Sequence, residues 1–215
     1  MSTMHIPDGF LNAATMATTG VASAGTLGVA VRMAAKKLGE KQVPLMGILA
    51  AFIFAAQLLN FPVAGGTSGH LIGATLCVIL IGPWAGVIIM SAVLIAQSLI
   101  FQDGGLLALG ANIFNMGIVA VFGAFIIYKL SIGVFGSNRR GQLIGAATAG
   151  WASVMLAALA ASIELAVSGA SPFGIVFPAM AGVHVLIGIG EGLITIFVVS
   201  AVLASRADIL QLERI

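Results

Sequence analysis

Residues 84–101 read WAGVIIMSAVLIAQSLIF, a run with no formal charge. Its length is close to the roughly 20 apolar residues that a helix needs to cross the hydrocarbon core of a bilayer. Polar interruptions divide the rest of the chain in the same way, into about seven segments at 10–38, 43–61, 68–82, 84–101, 107–129, 141–168 and 174–204. The third is too short to cross comfortably, and both its ends are rich in glycine or proline. Short or broken helices of this kind expose main-chain groups that can serve as ligands. The pattern predicts an all-α, polytopic integral membrane helix bundle, a single transmembrane domain over residues 1–215.

Composition agrees. Sixty per cent of residues are hydrophobic, 7% are charged and the mean hydropathy is +1.16, whereas about a quarter of a soluble domain is charged. Nine basic residues against seven acidic ones give a pI near 9.0, which does not indicate nucleic-acid binding. The single cysteine, Cys77, excludes an internal disulfide and reads as a small core residue. Pro7 and Asp8 stand where a cleavable signal would carry a basic region, so the first helix is expected to direct insertion. Gly20, Ala24 and Gly28 form a small-residue stripe, read as helix packing.

The charges give an expected orientation. Arg32, Lys36, Lys37 and Lys41 follow the first segment, Lys129, Arg139 and Arg140 the fifth, and Arg206 and Arg214 the seventh. Even numbers of segments separate these clusters, so all three fall on one face, which the positive-inside rule makes cytoplasmic. The N-terminus is then outside and the C-terminus inside. On the outer face this topology gathers His5, His70, Asp103 and His184, with Asn112 and Asn115 at i and i+3 near the outer end of segment five. Glu191 lies two helical turns beyond His184, deep in an apolar stretch, and is read as a protonated or hydrogen-bonded brace among Gly188, Gly190 and Gly192. Glu164 is given no role.

Two stretches carry the chemistry. Met4-His5-Ile6-Pro7-Asp8-Gly9-Phe10 leads into the first helix, and Pro62-Val63-Ala64-Gly65-Gly66-Thr67-Ser68-Gly69-His70 opens the third segment. A histidine near a chain terminus can chelate a transition metal through its imidazole and main-chain nitrogens, a donor set suited to Ni(II) or Cu(II). With Asp103-Gly104-Gly105, the run Leu109 to Gly117 and the run His184 to Thr195, these stretches resemble the CbiM/NikM family, the metal-binding membrane subunit of energy-coupling factor cobalt/nickel transporters. The resemblance covers nearly the whole chain.

That resemblance implies a substrate-specific component of an ATP-driven importer in the prokaryotic cell (inner) membrane. It implies as partners a transmembrane coupling subunit, two cytoplasmic ATPase subunits and often a small auxiliary membrane subunit. The implied metal ligands are the nitrogens of Met4 and His5, the His5 imidazole and the His70 imidazole, with residues 1–9 capping the site. Thr67, Ser68, Asp103, Asn112 and His184 would hold those ligands in place. Met1-Ser2-Thr3 depart from the family pattern, since they turn the Met4 nitrogen into a peptide amide, which binds metal only after losing a proton. As written, the chain is expected to keep the fold and bind metal poorly. Nickel and cobalt suit the donor set equally, and no resident cofactor is implied.

No G-x-x-x-x-G-K-[ST] loop, H-E-x-x-H helix or Ser/His/Asp constellation is present, so ATP hydrolysis and enzymatic activity are not expected of this chain. The competing reading is a stand-alone secondary transporter or channel for a small solute or cation, with Glu191 as its coupling group.

Overall fold

The computed structural model describes residues 5–39, 42–58, 61–63 and 67–205. These residues are overwhelmingly helical: α1 (Ala13–Lys37), α2 (Gln42–Gln57), α3 (Ala74–Ile81), α4 (Pro83–Phe101), α5 (Leu109–Asn112), a π-helical segment (Ile113–Val119), α6 (Ala120–Phe135), α7 (Arg139–Val167) and α8 (Phe173–Ser205). α5, the π segment and α6 form one 27-residue rod. That rod, α1, α4, α7 and α8 are long and apolar enough to cross a membrane, while α2 is apolar but shorter. Val21, Ile126, Leu130, Leu193 and Phe197 on these rods point outward. Apolar side chains facing outward fit a multi-pass membrane protein, whose helices are held by close packing because lipid is as apolar as the core.

Six of the seven expected segments correspond to these long helical stretches. The third does not. Of residues 68–82 only Ala74–Ile81 are helical; Thr67–Gly69 form β2, paired antiparallel with β1 (Phe61–Val63) in the register Phe61 to Gly69 and Val63 to Thr67. Residues 70–73 are irregular, and Gly73 adopts φ +81°, which ends any helix running back toward His70. All eight residues of α3 are buried, as expected of a helix that is apolar on every side and sits at the centre of a bundle.

Such a helix start, sunk in the core, needs partners for its main-chain N–H groups. Glu191 of α8 supplies them: its carboxylate accepts from the N–H of Ile72 at 2.9 Å and of Gly73 at 2.7 Å. It is 2% exposed, and it ties α8 to the mouth of α3. This is the bracing role expected from the sequence, although the carboxylate reaches past its glycine neighbours to another element.

The bundle has two distinct ends. One gathers residues 5–15, Gln57, the 70–73 turn, Gln97 to Ala108 and the close of α7, as their mutual hydrogen bonds require. Near the other end lie Arg32 and Lys36 late in α1, Lys129 in α6, and Arg139 and Arg140 opening α7. Lys41, Arg206 and Arg214 lie outside the described residues.

Replacing Glu191 with alanine orphans two buried N–H groups. Hydrogen bonds to a charged group contribute roughly 1.5–3 kcal/mol each, so Glu191→Ala should lower stability by about 3 kcal/mol or more. Glu191→Gln, which keeps one acceptor oxygen, should lose less. Thermal unfolding of the purified protein in detergent checks both, and equal stability of all three chains would remove Glu191 from the brace.

Candidate metal site

Residues 5–11 form a strap across the polar end of the bundle, held largely by main-chain groups. Asn112 grips Ile6 from both sides: its Oδ1 accepts from the Ile6 N–H at 3.0 Å and its Nδ2 donates to the Ile6 carbonyl at 3.1 Å. The Gly105 N–H donates to the same carbonyl at 3.0 Å. Asp8 accepts from three consecutive N–H groups, of Leu106, Leu107 and Ala108, at 3.1, 2.8 and 3.1 Å. Asn12 then caps α1, accepting from the Thr15 N–H at 2.8 Å, and donates across to Val167 at 3.2 Å.

The loop opposite is shaped to receive the strap. Gly104 adopts φ +96°, and a Cβ there would stand 2.9 Å from the His5 Cβ; a Cβ at Gly105 would collide with Asp8. The Asp103 N–H donates to the Gln97 carbonyl at 3.1 Å, closing the end of α4. The motif Asp103-Gly104-Gly105 thus serves close approach of backbone to backbone.

Two imidazoles meet under this strap. His5 is 7% and His70 is 9% exposed, and their rings lie 4.9 Å apart, tilted by 57°. Their tautomers follow from their neighbours. His70 Nδ1 lies 2.8 Å from the Leu71 carbonyl; a carbonyl only accepts, so Nδ1 carries a proton.

His5 requires a longer chain of reasoning. The Ile72 carbonyl accepts from Gln57 Nε2 at 2.8 Å, which turns Gln57 Oε1 toward Gln97, whose Nε2 donates to it at 2.9 Å. Gln97 Oε1 must then face His5 Nε2, at 2.9 Å, so that nitrogen carries the proton. His5 Nδ1 is left as a lone-pair donor, fully buried and without a hydrogen-bond partner. Nδ1 is also the ring nitrogen that can close a six-membered chelate with its residue's own main-chain nitrogen. The arrangement therefore presents one buried lone-pair nitrogen, His5 Nδ1, set up for chelation beside the His70 ring. Among the described residues no three His, Cys, Asp or Glu side chains come together.

Met4 lies outside the described residues, and Thr67 and Ser68 lie on β2 directly before His70. His184 donates from Nδ1 to the Met180 carbonyl at 2.7 Å, one turn back in α8, and makes no described contact with His5 or His70. Asn112 and Asn115 diverge, because the widened π turn between them rotates Asn115 toward α7 and Glu164.

Gln57 and Gln97, both wholly buried, escaped the sequence reading. Their signal was available: uncompensated amides inside segments 43–61 and 84–101. Asp8 was also passed over, as an acidic residue in an obviously polar lead.

A sequence profile described as "Cobalt uptake substrate-specific transmembrane region" matches residues 5–209. A putative metal transport protein of Haloquadratum walsbyi is 43% identical over 96% of this chain and 93% of its own length. A putative fused nickel transport protein NikMN of Archaeoglobus fulgidus is 41% identical over 97% of this chain and 68% of its own length. Cobalt transport protein CbiM 1 of Pelobacter propionicus is 34% identical over 93% and 91%. The crystal structure of a truncated transition metal transporter superposes with a TM-score of 0.85 at 38% identity, covering 94% of this chain and 99% of that one.

Gln97→Leu should release His5 from its tautomer while leaving His70 fixed. Nitrogen-15 imidazole shifts of the labelled protein then show His5 alone moving to a mixture, and an unchanged His5 spectrum would remove the glutamine relay from the site. Gly105→Ala should displace Asp8 and speed amide exchange of the Leu106–Ala108 N–H groups, with the helices beyond them unaffected.

Proposed function

The chain belongs to the family of substrate-specific transmembrane proteins of cobalt uptake, and on that premise we propose that it captures Ni(II) or Co(II) for import. The ligands in this reading are His5 Nδ1, His70 Nε2, the main-chain nitrogen of His5 and the nitrogen of Met4. Nitrogen donors of this kind suit late first-row divalent ions. The observation that carries the reading is the pair of buried imidazoles, 4.9 Å apart, with His5 Nδ1 left without a hydrogen-bond partner by the bond its other nitrogen makes to Gln97. Neutral imidazoles with the far nitrogen donating to a fixed acceptor are the usual state of metal-bound histidine.

The same reading makes residues 1–9 the cap of the site and places that end of the bundle outside a prokaryotic inner membrane, with the basic end in the cytoplasm. Uptake is powered by separate subunits: a transmembrane coupling protein and two ATPases, with a small auxiliary membrane subunit in some assemblies. A nickel-named relative and a cobalt-named relative both align here, so the choice between the ions is left to titration. In the secondary-transporter reading Glu191 would be the coupling group; its two hydrogen bonds to main-chain N–H groups support the bracing role instead.

Calorimetric titration of the purified chain with Ni(II) and Co(II) tests the ligands. His5→Ala and His70→Ala should each abolish high-affinity binding with the bundle still folded. Binding equal to the parent in either variant rejects the site. Comparing the chain with and without residues 1–3 measures what a free Met4 amine adds, and a large gain is expected. In liposomes this chain alone should bind metal without concentrating it, and ATP-driven accumulation should require the added subunits. Accumulation by this chain alone under a proton gradient would overturn the partnership.

A further inference from the structure

The bundle buries a second carboxylate, and its surroundings differ from those of Glu191. Glu164 lies in the last turn of α7 and is 6% exposed. One of its oxygens accepts from Asn115 Nδ2 at 2.8 Å. Its other oxygen and Asn115 Oδ1 are both fully buried acceptors without a protein donor. Glu191 meets two N–H groups at a helix start, where negative charge is favoured. Glu164 meets one amide donor and one amide acceptor.

Among the described residues Glu164 forms no ion pair, and Arg32, Lys36, Lys129, Arg139 and Arg140 lie near the other end of the bundle. Of the titratable groups on neighbouring elements, Cys77 of α3, Lys129 of α6, and His184 and Glu191 of α8, none hydrogen-bonds to it. In the strap, Asp8 is taken up by Leu106–Ala108 and His5 by Gln97. An unpaired carboxylate in such a place is far more costly than a neutral acid. A single added hydrogen answers both orphan acceptors. Once protonated, the free Glu164 oxygen becomes a donor, and the unsatisfied acceptor on its bonded partner is Asn115 Oδ1. The result is a cyclic acid–amide pair with two antiparallel hydrogen bonds.

We propose that Glu164 and Asn115 form a proton-binding site, occupied at neutral pH, that links the π segment to α7 beneath the strap. The proton arrives from water onto the carboxylate and returns to water when the site empties. Its place couples it to strap closure. Asn115 shares its rod with Asn112, which grips Ile6. At the close of α7, Leu165 packs against the cluster of Leu11, Ala108 and Ala111, Val167 accepts from Asn12, and Ser168 donates to Thr15 at 3.1 Å. Charge on Glu164 therefore pushes apart the two elements to which the strap is fastened. The inference does not rest on the metal reading.

Infrared spectroscopy of the purified full chain tests it directly. The spectrum at neutral pH minus that of E164Q should contain a protonated-carboxyl carbonyl band, lost as pH rises. Asn115→Leu should shift that band upward by removing its hydrogen-bonded partner. E164Q, an isosteric amide pair, should keep the thermal stability of the parent at neutral pH and exceed it at high pH. Amide exchange of residues 5–12, compared at the same high pH, should be about tenfold faster in the parent than in E164Q, equivalent to one pKa unit of coupling between proton and strap. A difference spectrum containing only carboxylate bands at neutral pH overturns the proton site, as would one set by sodium or ammonium concentration. Exchange equal in parent and E164Q overturns the link to the strap.

Discussion

The peptide groups flanking Ile72 connect the polar end of the bundle to its core. The Ile72 N–H donates to Glu191, and the Ile72 carbonyl accepts from Gln57. A carbonyl has no proton to give, so this one contact sets the direction of every hydrogen bond beyond it, through Gln57 and Gln97 to His5. Each member is at least nine-tenths buried. In such surroundings a satisfied network is strong, and leaving one member unpaired costs about 1–3 kcal/mol. The orientation of an imidazole in the strap is thus set from a main-chain carbonyl at the mouth of α3.

Helices cannot supply such contacts themselves, because their main-chain groups are already used internally. The main-chain N–H groups that hold the strap come from a segment where helix is interrupted, the 102–108 loop, and side chains of α4 and α5 add to them. Asp8 works because Leu106, Leu107 and Ala108 lie ahead of α5 with N–H groups to spare. The glycines at 104 and 105 let two backbones approach where side chains would hold them apart.

Much of this was legible from the sequence because membrane helices obey a length rule. Runs such as 84–101 could be read as helices from hydrophobicity alone, and the basic residues marked one end of the bundle. The histidines stood out for their rarity. The third segment misled, because residues 68–73 are as uncharged as a helix interior while Gly73 takes a conformation that stops one. Asn112 and Asn115 were grouped by α-helical spacing, which a π turn abolishes. Depth and direction were also out of reach. Gln57 and Gln97 are forty residues apart in sequence, and no periodicity relates the ends of their amides.

The two imidazoles belong to parts of the structure with different support. His70 adjoins the turn that Glu191 anchors at the start of α3, and its ring is fixed by the neighbouring Leu71 carbonyl. His5 lies in the strap, attached through hydrogen bonds that span more than ninety residues of sequence, to Gln97 and, by way of Ile6, to Asn112. An ion bound to both rings therefore joins the core to the strap and has its full ligand set only when the strap is closed. A ligand shifts an equilibrium by its difference in affinity for the two states, and no further. On the proposed reading, each ligand that the strap contributes adds to that difference. On that reading, with His5 on the strap and His70 beside the core turn, capture of the ion and closure of the site would be a single event.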